Sequence, residues 1–303
     1  MSSLLASGIW ICYIAAEMTL RIAIPNKGRL NEEAVDILRA ISLRIPHHPR
    51  RSLMVHADGG NVQVLYTRAQ DIPEFVELGA ADLGITGLDL VSESGCEVER
   101  LHDFTFGRCK LVVAAPDNSS ITNPDEIPAR AKVATSYPNI VSRYFSDRKK
   151  EVIVVPISGA AEITPSIGVA DLIVDITQTG ATMQQNHLSL IDVIMDSHAI
   201  FVGNPTSVRR QKAEVDKIVS AFGSVQAASK KRYVMANVDR ANLQKVEELL
   251  PGLAGATVLD LSVEDRFAVH AVVREDELNT ILSDLKGAGA SGILVLPIER
   301  LIP

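Results

Sequence analysis

The stretch from Gly168 to Thr182 carries the residue types best suited to chemistry on a phosphorylated sugar. An apolar run ending in Asp175 is typical of a buried strand, and a hydroxyl-rich turn leads from it into a helix predicted to begin near Met183. Backbone N–H groups at a helix start converge on an anion, and Gly180 lets a phosphate approach the main chain closely. The carboxylate at the strand end can accept hydrogen bonds from sugar hydroxyls. The spacing therefore predicts a cradle for a phosphate and a ribose.

A second interpretation of this stretch needs no ligand. Short threonine-rich turns are common, and Asp175 could simply cap the helix that follows. Spacing alone does not decide between the two interpretations.

The elements that must position this stretch alternate between short apolar runs and helical patterns from Leu20 onward. Leu20–Ile24 is typical of a buried strand, and Asn31 is predicted to cap the helix that follows the turn at 25–29. Such alternation indicates an α/β sheet with ligand loops at the carboxyl ends of its strands. Further strands are predicted at 82–86, 111–115, 133–135, 152–157 and 172–176.

The order of elements changes after a polar, helical connector at 207–232. From Tyr233 the pattern becomes βαββαβ, which is typical of a ferredoxin-like domain. A module of this kind commonly binds a regulator or pairs with a copy of itself. The predicted strands are 233–238, 257–261, 267–273 and 292–297, and the predicted helices are 241–250 and 276–288.

Composition narrows the class of protein. The 303 residues include 30 Lys plus Arg against 37 Asp plus Glu, a net charge of −7, and only 4% are aromatic, which argues against a nucleic-acid partner. The three cysteines, Cys12, Cys96 and Cys109, are odd in number and lack metal-type spacing. We therefore expect no disulfide framework and no zinc site, and a reducing, cytoplasmic location.

The apolar segment Leu4–Ala16 could be mistaken for a targeting sequence. A secretory signal has Lys or Arg before its apolar stretch, and this segment has neither. The segment is also too short to span a bilayer. We expect no export signal and no membrane partner, and we favour Met18 as the true start.

Several segments together resemble the ATP phosphoribosyltransferase family, which catalyses the first step of histidine biosynthesis. Residues 170–182, with Gly159–Glu162 before them, are similar to its phosphoribosyl pyrophosphate loop, and 25–30 resembles its N-terminal Lys-Gly-Arg-Leu turn. Other similar segments are 68–90, 134–139, 249–252 and 289–299, the last two resembling the regulatory domain of the long form. The family often has Ser-Val where this chain has Ala160-Ala161, and Val-Ser where it has Thr177-Gln178, which puts only side-chain contacts there in doubt.

The resemblance covers nearly all of 19–303 and implies an α/β fold of three parts. Two lobes are arranged like a type II periplasmic binding protein, and the chain crosses between them twice. A C-terminal ferredoxin-like (βαββαβ) regulatory domain follows. The implied bounds are 19–110 for lobe I with a return segment at 195–228, 111–194 for lobe II, and 229–303 for the C-terminal domain.

The implied reaction transfers the phosphoribosyl group of phosphoribosyl pyrophosphate to N1 of the adenine ring of ATP and releases pyrophosphate. Mg²⁺ is the implied cofactor, and histidine is the implied inhibitor, bound between neighbouring C-terminal domains. The same resemblance implies a homo-oligomer, as a dimer or a hexamer.

The implied site residues fall into four groups. No residue is assigned as a direct metal ligand. Catalysis is assigned to Asp175, Glu162 and Arg68. Phosphoribosyl pyrophosphate is assigned to Asp175, Thr177, Gln178, Thr179, Gly180, Ala181 and Thr182. ATP is assigned to Lys27, Gly28, Arg29, Asp89 and Tyr137, although each cation could instead be a solvated surface charge and Tyr137 could be half-buried packing. Histidine is assigned to Asp239, Leu253, Thr257 and Ala290.

Two other functions stay open at this point. A non-enzymatic binding protein of the same two-lobed architecture could take up an anion between its lobes. A phosphoribosyltransferase for another base is disfavoured, because the nucleotide-salvage type places two adjacent acids before its Thr-Gly loop, whereas Asp175 is followed by Ile176.

Overall fold

The computed structural model describes residues 19–45, 53–57, 61–253 and 255–302. The predictions made for Leu4–Ala16, Cys12 and Met18 lie outside these residues. Contacts divide the chain into two compact units, 1–215 and 216–303.

Nine helices and fifteen strands make up the described part of the chain. The strands are β1 Leu20–Pro25, β2 Met54–His56, β3 Val62–Thr67, β4 Leu83–Gly87, β5 Glu99–Asp103, β6 Cys109–Pro116, β7 Lys132–Thr135, β8 Ile153–Pro156, β9 Leu172–Thr177, β10 Leu188–Ser197, β11 Ala199–Gly203, β12 Lys231–Asp239, β13 Thr257–Asp260, β14 Arg266–Arg274 and β15 Ser291–Pro297. The helices are α1 Asn31–Ala40, α2 Ile72–Glu77, α3 Leu88–Ser94, α4 Pro138–Asp147, α5 Ala181–Gln185, α6 Pro205–Arg210, α7 Lys212–Ala228, α8 Leu243–Leu249 and α9 Leu278–Gly287.

Lobe I is built on a six-stranded sheet in the order β2-β3-β1-β4-β11-β5. Strand β1 pairs in parallel with β3 and β4, so the turns that follow these three strands lie at one edge of the sheet. Helix α2 covers one face, where its buried Ile72 and Val76 pack with Ala23 and Val202.

Lobe II is built on a five-stranded sheet in the order β10-β6-β9-β7-β8. Side chains alternate between its faces along β9, as in any strand. Leu172 and Val174 pack in the core beneath α4, and Ile173 packs on the other face with Ala161 and Met183. Alternation therefore places Asp175 on the same face as Ile173.

The connections between the two sheets define the architecture. Strands β1 to β5 and β11 belong to the first sheet, whereas β6 to β10 belong to the second. The chain thus passes to lobe II after β5 and returns after β10. Two α/β lobes with two crossovers are the arrangement of a type II periplasmic binding protein, and this fold prediction is confirmed.

The C-terminal unit contains a four-stranded antiparallel sheet in the order β13-β14-β12-β15. Helices α8 and α9 contribute Val246 and Leu285 to a core with Val234, Val269 and Ala271 of the sheet. The order of elements is βαββαβ, so the ferredoxin-like prediction is confirmed.

The compact units divide after Val215, which lies in α7 and inside the predicted return segment 195–228. The predicted domain bounds stay a prediction. Within the described residues, no helix has both the length and the apolar character needed to cross a bilayer.

Three local expectations are wrong in detail. Helix α1 already begins at Asn31, whose side-chain amide donates to the Pro25 carbonyl at 2.5 Å instead of capping the helix. Strand β9 continues past Asp175 because it stays paired with β6 as far as Thr177. Helix α5 begins before Met183, directly after Gly180.

Candidate active site

A cleft between lobes I and II consists of two adjoining cavities of about 840 and 570 Å³. Among the walls of the larger cavity are Asp175 and Gly159 of lobe II, and the smaller cavity is bordered by Arg68 and the turn after β1. The residues common to both walls are Gln70, Leu90, Tyr137, Ser158 and Ile176. The cleft therefore brings the predicted lobe II acid and the predicted lobe I cations to one space.

Asp175 lies half-buried in the wall of the larger cavity. Its Oδ1 accepts a hydrogen bond from the Ile176 N–H at 2.7 Å. Burial raises the pKa of the Asp175 carboxyl, and the nearby charge of Glu162 raises it further. Asp175 thus borders the cleft, and its contact with a sugar stays a prediction.

Glu162 reaches the neighbourhood of Asp175 through an unusual backbone path. The preceding Gly159 and Ala160 both have positive φ, at 157° and 55°, and a 3₁₀ turn at Ala161–Ile163 follows. Left-handed backbone is uncommon for alanine. Ala161 of this turn packs with Ile173, which lies on the same face of β9 as Asp175, so the turn carries Glu162 on the Asp175 side of the sheet.

The loop after β9 is held by hydrogen bonds between its backbone N–H groups and its own threonine hydroxyls. Thr177 Oγ1 accepts from the Gly180 N–H at 2.9 Å, and Thr179 Oγ1 accepts from the Ala181 N–H at 3.4 Å. Each hydroxyl keeps its own proton, which it can donate to a phosphate oxygen. Gly180 has φ of 79° and begins α5. The exposed members of the loop are Gln178, Thr179, Ala181 and Thr182.

The predicted cations of lobe I all border the smaller cavity. Lys27 and Arg68 are exposed, and both follow strands of the parallel part of the sheet. The Thr86 hydroxyl donates to the Ala69 carbonyl at 2.7 Å and so fixes the turn that carries Arg68. Gly28, in the same turn as Lys27, is exposed with φ of 83°. Clustered cations in a cleft attract a polyphosphate.

Arg29 differs from the other two cations because protein groups already bind it. Its Nη2 lies 3.2 and 3.3 Å from the two carboxylate oxygens of Asp89, and its Nη1 donates to the Gly107 carbonyl. The guanidinium thereby connects the turn after β1 to the first crossover.

Asp89 is fully buried and engaged on both oxygens. Besides Arg29, its Oδ1 accepts from the Ser197 hydroxyl at 2.6 Å and its Oδ2 from the Tyr137 hydroxyl at 2.8 Å. Its own N–H donates to Ser197 Oγ at 3.0 Å. The structure therefore makes Asp89 a junction of both lobes and both crossovers, although it also borders the smaller cavity.

Tyr137 is almost fully buried, with 5% of its surface exposed. Burial raises its pKa, and the charge of Asp89 raises it further, so the phenol stays protonated and serves as a donor. It borders both cavities.

Other cleft residues were not predicted as site residues from the sequence. Some lie in the family-like segments 68–90 and 134–139, but only the fold brings their side chains to the cleft. They include Gln70, Glu93, Ser136, Asn139 and Ser158.

The described residues include no group of three or more His, Cys, Asp or Glu side chains that could hold a metal ion. Cys96 and Cys109 are free thiols.

The four residues assigned to histidine lie in different parts of the C-terminal unit. Asp239, at the end of β12, forms an ion pair with Arg266 at 2.9 Å. Leu253 is exposed, and Thr257 pairs with His270 further along β14. Ala290 is buried in the core of the domain. Their role in binding histidine stays a prediction.

Comparison with known proteins gives independent evidence of the family to which the chain belongs. The profile of the ATP phosphoribosyltransferase family matches residues 68–224, and that of the HisG C-terminal domain matches 228–300. The ATP phosphoribosyltransferase of Methanothermobacter thermautotrophicus is 43% identical over 94% of this chain and 100% of its own length. That of Gemmatimonas aurantiaca is 44% identical, again over 94% of this chain and 100% of its own length.

A solved structure is similar over about two thirds of the chain. It is the ATP phosphoribosyl transferase (HisG:HisZ) complex from Thermotoga maritima, with a TM-score of 0.60 and 28% identity. The match covers 68% of this chain and 99% of that chain.

Proposed function

Because the chain belongs to the ATP phosphoribosyltransferase family, in its long form with a C-terminal domain, we propose that its inter-lobe cleft joins N1 of the adenine ring of ATP to C1 of phosphoribosyl pyrophosphate. Pyrophosphate is the second product. Family membership makes the protein a transferase of the first step of histidine biosynthesis. The choice of N1 and the roles of individual residues are the proposal.

The nucleophile needs little activation by the protein. N1 of neutral adenine already has a free lone pair, so no strong base is required. The harder part is the departure of pyrophosphate, which builds negative charge while the ribose gains oxocarbenium character. The protein must therefore bind the diphosphate with cations and the sugar with an anion.

Lobe II supplies the sugar side of this arrangement. Asp175 accepts hydrogen bonds from the ribose hydroxyls, and its negative charge favours the developing positive charge on the ring. The loop 177–182 binds the 5-phosphate through its N–H groups and hydroxyls, since most of it is exposed beside that acid.

Lobe I supplies the phosphate side. Lys27 and Arg68 are exposed at the smaller cavity and bind the pyrophosphate and the ATP triphosphate. Arg29, bound by Asp89, contributes a fixed charge and shapes the cavity wall.

Mg²⁺ fits this site as a companion of the substrate. It commonly binds through one or two carboxylates, with water and phosphate oxygens in the other positions. Asp175 borders the cleft, and Glu162 follows Ala161 in the turn that packs on the same face of β9 as Asp175. When bound, the ion would neutralise charge on the leaving diphosphate.

One observation carries the proposal. Asp175 and Ile176, which directly precede the exposed loop of lobe II, border the same cleft as the lobe I cations, in a chain of this family. The alternative of a non-enzymatic anion-binding protein has no such support.

The test is to mix the protein with ATP, phosphoribosyl pyrophosphate and Mg²⁺, following phosphoribosyl-ATP by absorbance and pyrophosphate release by a coupled assay. ATP labelled with ¹⁵N at N1 should show coupling of that nitrogen to the ribose C1 in the product. Omitting either substrate is the control. Pyrophosphate release without that coupling would contradict the choice of N1.

We further infer that histidine inhibits the enzyme by binding at the C-terminal domain, and that the enzyme is a homo-oligomer, a dimer or a hexamer. The match of 228–300 to the family's C-terminal domain supports the first inference. Sedimentation with and without histidine tests the second, and a monomer under both conditions would contradict it.

A further inference from the structure

Helix α3 of lobe I meets the start of α4 of lobe II beside the larger cavity. The carboxylate of Glu93, on α3, accepts the Asn139 N–H at 2.8 Å and the Ile140 N–H at 2.9 Å. The Glu93 carbonyl also accepts from the Asn139 side-chain amide at 2.9 Å. We call this contact the inter-lobe cap.

The first turn of α4 lacks the cap that a helix usually has within its own chain segment. Tyr137 stands at the N-cap position and its side chain makes no cap hydrogen bond. Pro138 follows and has no N–H to donate. The next two N–H groups are satisfied by a carboxylate from the opposite lobe, whose charge also suits the positive end of the helix dipole.

A second acid of α3 reinforces the contact. Asp89 lies four residues before Glu93, and residues at this spacing share one face of a helix. Its Oδ2 accepts from the Tyr137 hydroxyl, while Arg29 binds the same carboxylate. One face of α3 thus binds three residues at the start of α4 and one cation of the smaller cavity.

We propose that Glu93 is a positioning residue for phosphoribosyl transfer, which fixes the lobe I cations against the lobe II acid and loop through the inter-lobe cap. The proposal rests on the proposed function, in which the two lobes hold different parts of the reacting pair. A carboxylate that only stabilised α4 would act on folding alone. A positioning residue acts on the alignment of the two lobes.

Substitution of the carboxylate separates alignment from binding. Glu93→Ala is expected to lower kcat by about 10- to 100-fold, because small misplacements of reacting groups carry costs of this size. The Kd for ribose 5-phosphate, which has no pyrophosphate for the lobe I cations to bind, is expected to stay within about twofold when measured by calorimetry, since the lobe II residues are unchanged. Glu93→Gln keeps one acceptor oxygen and should fall between Glu93→Ala and the native enzyme. Glu97→Ala, which removes an exposed acid nearby, should match the native enzyme.

A local replacement for the cap tests the purely structural alternative. Asn139→Asp places a carboxylate in the first turn of α4, within lobe II, where it can restore helix stability without bridging the lobes. In the Glu93→Ala/Asn139→Asp double variant we expect the melting temperature to recover while kcat stays low, with Asn139→Asp alone as the reference.

Two results would overturn the positioning role. One is a Glu93→Ala enzyme with native kcat, and the other is a double variant in which kcat recovers together with the melting temperature. A native enzyme that forms no phosphoribosyl-ATP would remove the proposed function and this role together. If the native enzyme forms phosphoribosyl-ATP and the Glu93→Ala enzyme has the same kcat, the positioning role alone is removed.

Discussion

At the scale of single residues, Asp175 shows a conflict between function and stability. Its pKa is raised in the folded protein, so protonation favours the folded state, and this contribution is lost as pH rises from the ordinary aspartate value through the raised one. At neutral pH the ionised carboxylate therefore costs stability, a cost that its proposed role at the ribose would explain.

Asp175→Asn should accordingly lower activity without lowering stability. We expect kcat/KM for phosphoribosyl pyrophosphate to fall by about 10- to 100-fold, the equivalent of a hydrogen bond to a charged group. The melting temperature at pH 7 should be equal to or above that of the native protein. Asp147→Asn, at an exposed acid that ends α4, is the control. Unchanged kinetics would mean that Asp175 does not contact the sugar.

Tyr137 allows a second prediction, on the buried junction at Asp89. Tyr137→Phe removes a donor to a carboxylate that is fully buried, and should reduce the free energy of unfolding by about 1.5–3 kcal/mol. Tyr144→Phe is the matched control, because its partner Asp192 is 32% exposed and also binds Arg148. We expect that variant to lose less than about 1 kcal/mol. Urea denaturation checks both, and equal losses would contradict the special role of burial.

At the scale of elements, the loop between β9 and α5 depends on the left-handed backbone of Gly180. Gly180→Ala adds a strain of about 1–2 kcal/mol at a φ of 79° and should move the loop N–H groups. We expect the KM for phosphoribosyl pyrophosphate to rise by about tenfold, a change equivalent to 1.4 kcal/mol.

Gly168→Ala controls for the strain itself. Gly168 has a similar φ of 73°, and at both glycines a Cβ would meet no atom within 4 Å. Similar losses of stability are expected for both variants, with a change of KM for Gly180→Ala alone. If both variants bind the substrate equally well, the loop does not hold the phosphate.

At the scale of the whole molecule, the C-terminal unit has its own sheet and its own core. If histidine binds to this unit, the unit should be needed for inhibition by histidine and not for the transfer reaction. We expect histidine to inhibit the intact enzyme and to leave an enzyme truncated after Lys230 unaffected, as measured by initial rates over a histidine titration. Equal inhibition of both forms would place the histidine site outside the C-terminal domain.

What could be predicted from the sequence is what short segments encode. Strand and helix periodicity depends on neighbouring residues, so the α/β and βαββαβ orders were recognisable. The acid, threonines and glycine of 175–182 lie within one short segment, so the proposal of a phosphate loop could also be made from the sequence. The cations of lobe I were recognisable as candidates because they follow predicted strands.

Only the tertiary structure decided which distant residues meet. Asp89 binds Ser197 from 108 positions away, and Glu93 caps α4 from 46 positions away. Such pairs have no periodic signature, because their contact follows from sheet order and from two crossovers that return the chain to lobe I. Burial was equally out of reach, since a carboxylate looks the same in sequence whether it borders a cleft, as Asp175 does, or is enclosed by protein donors, as Asp89 is.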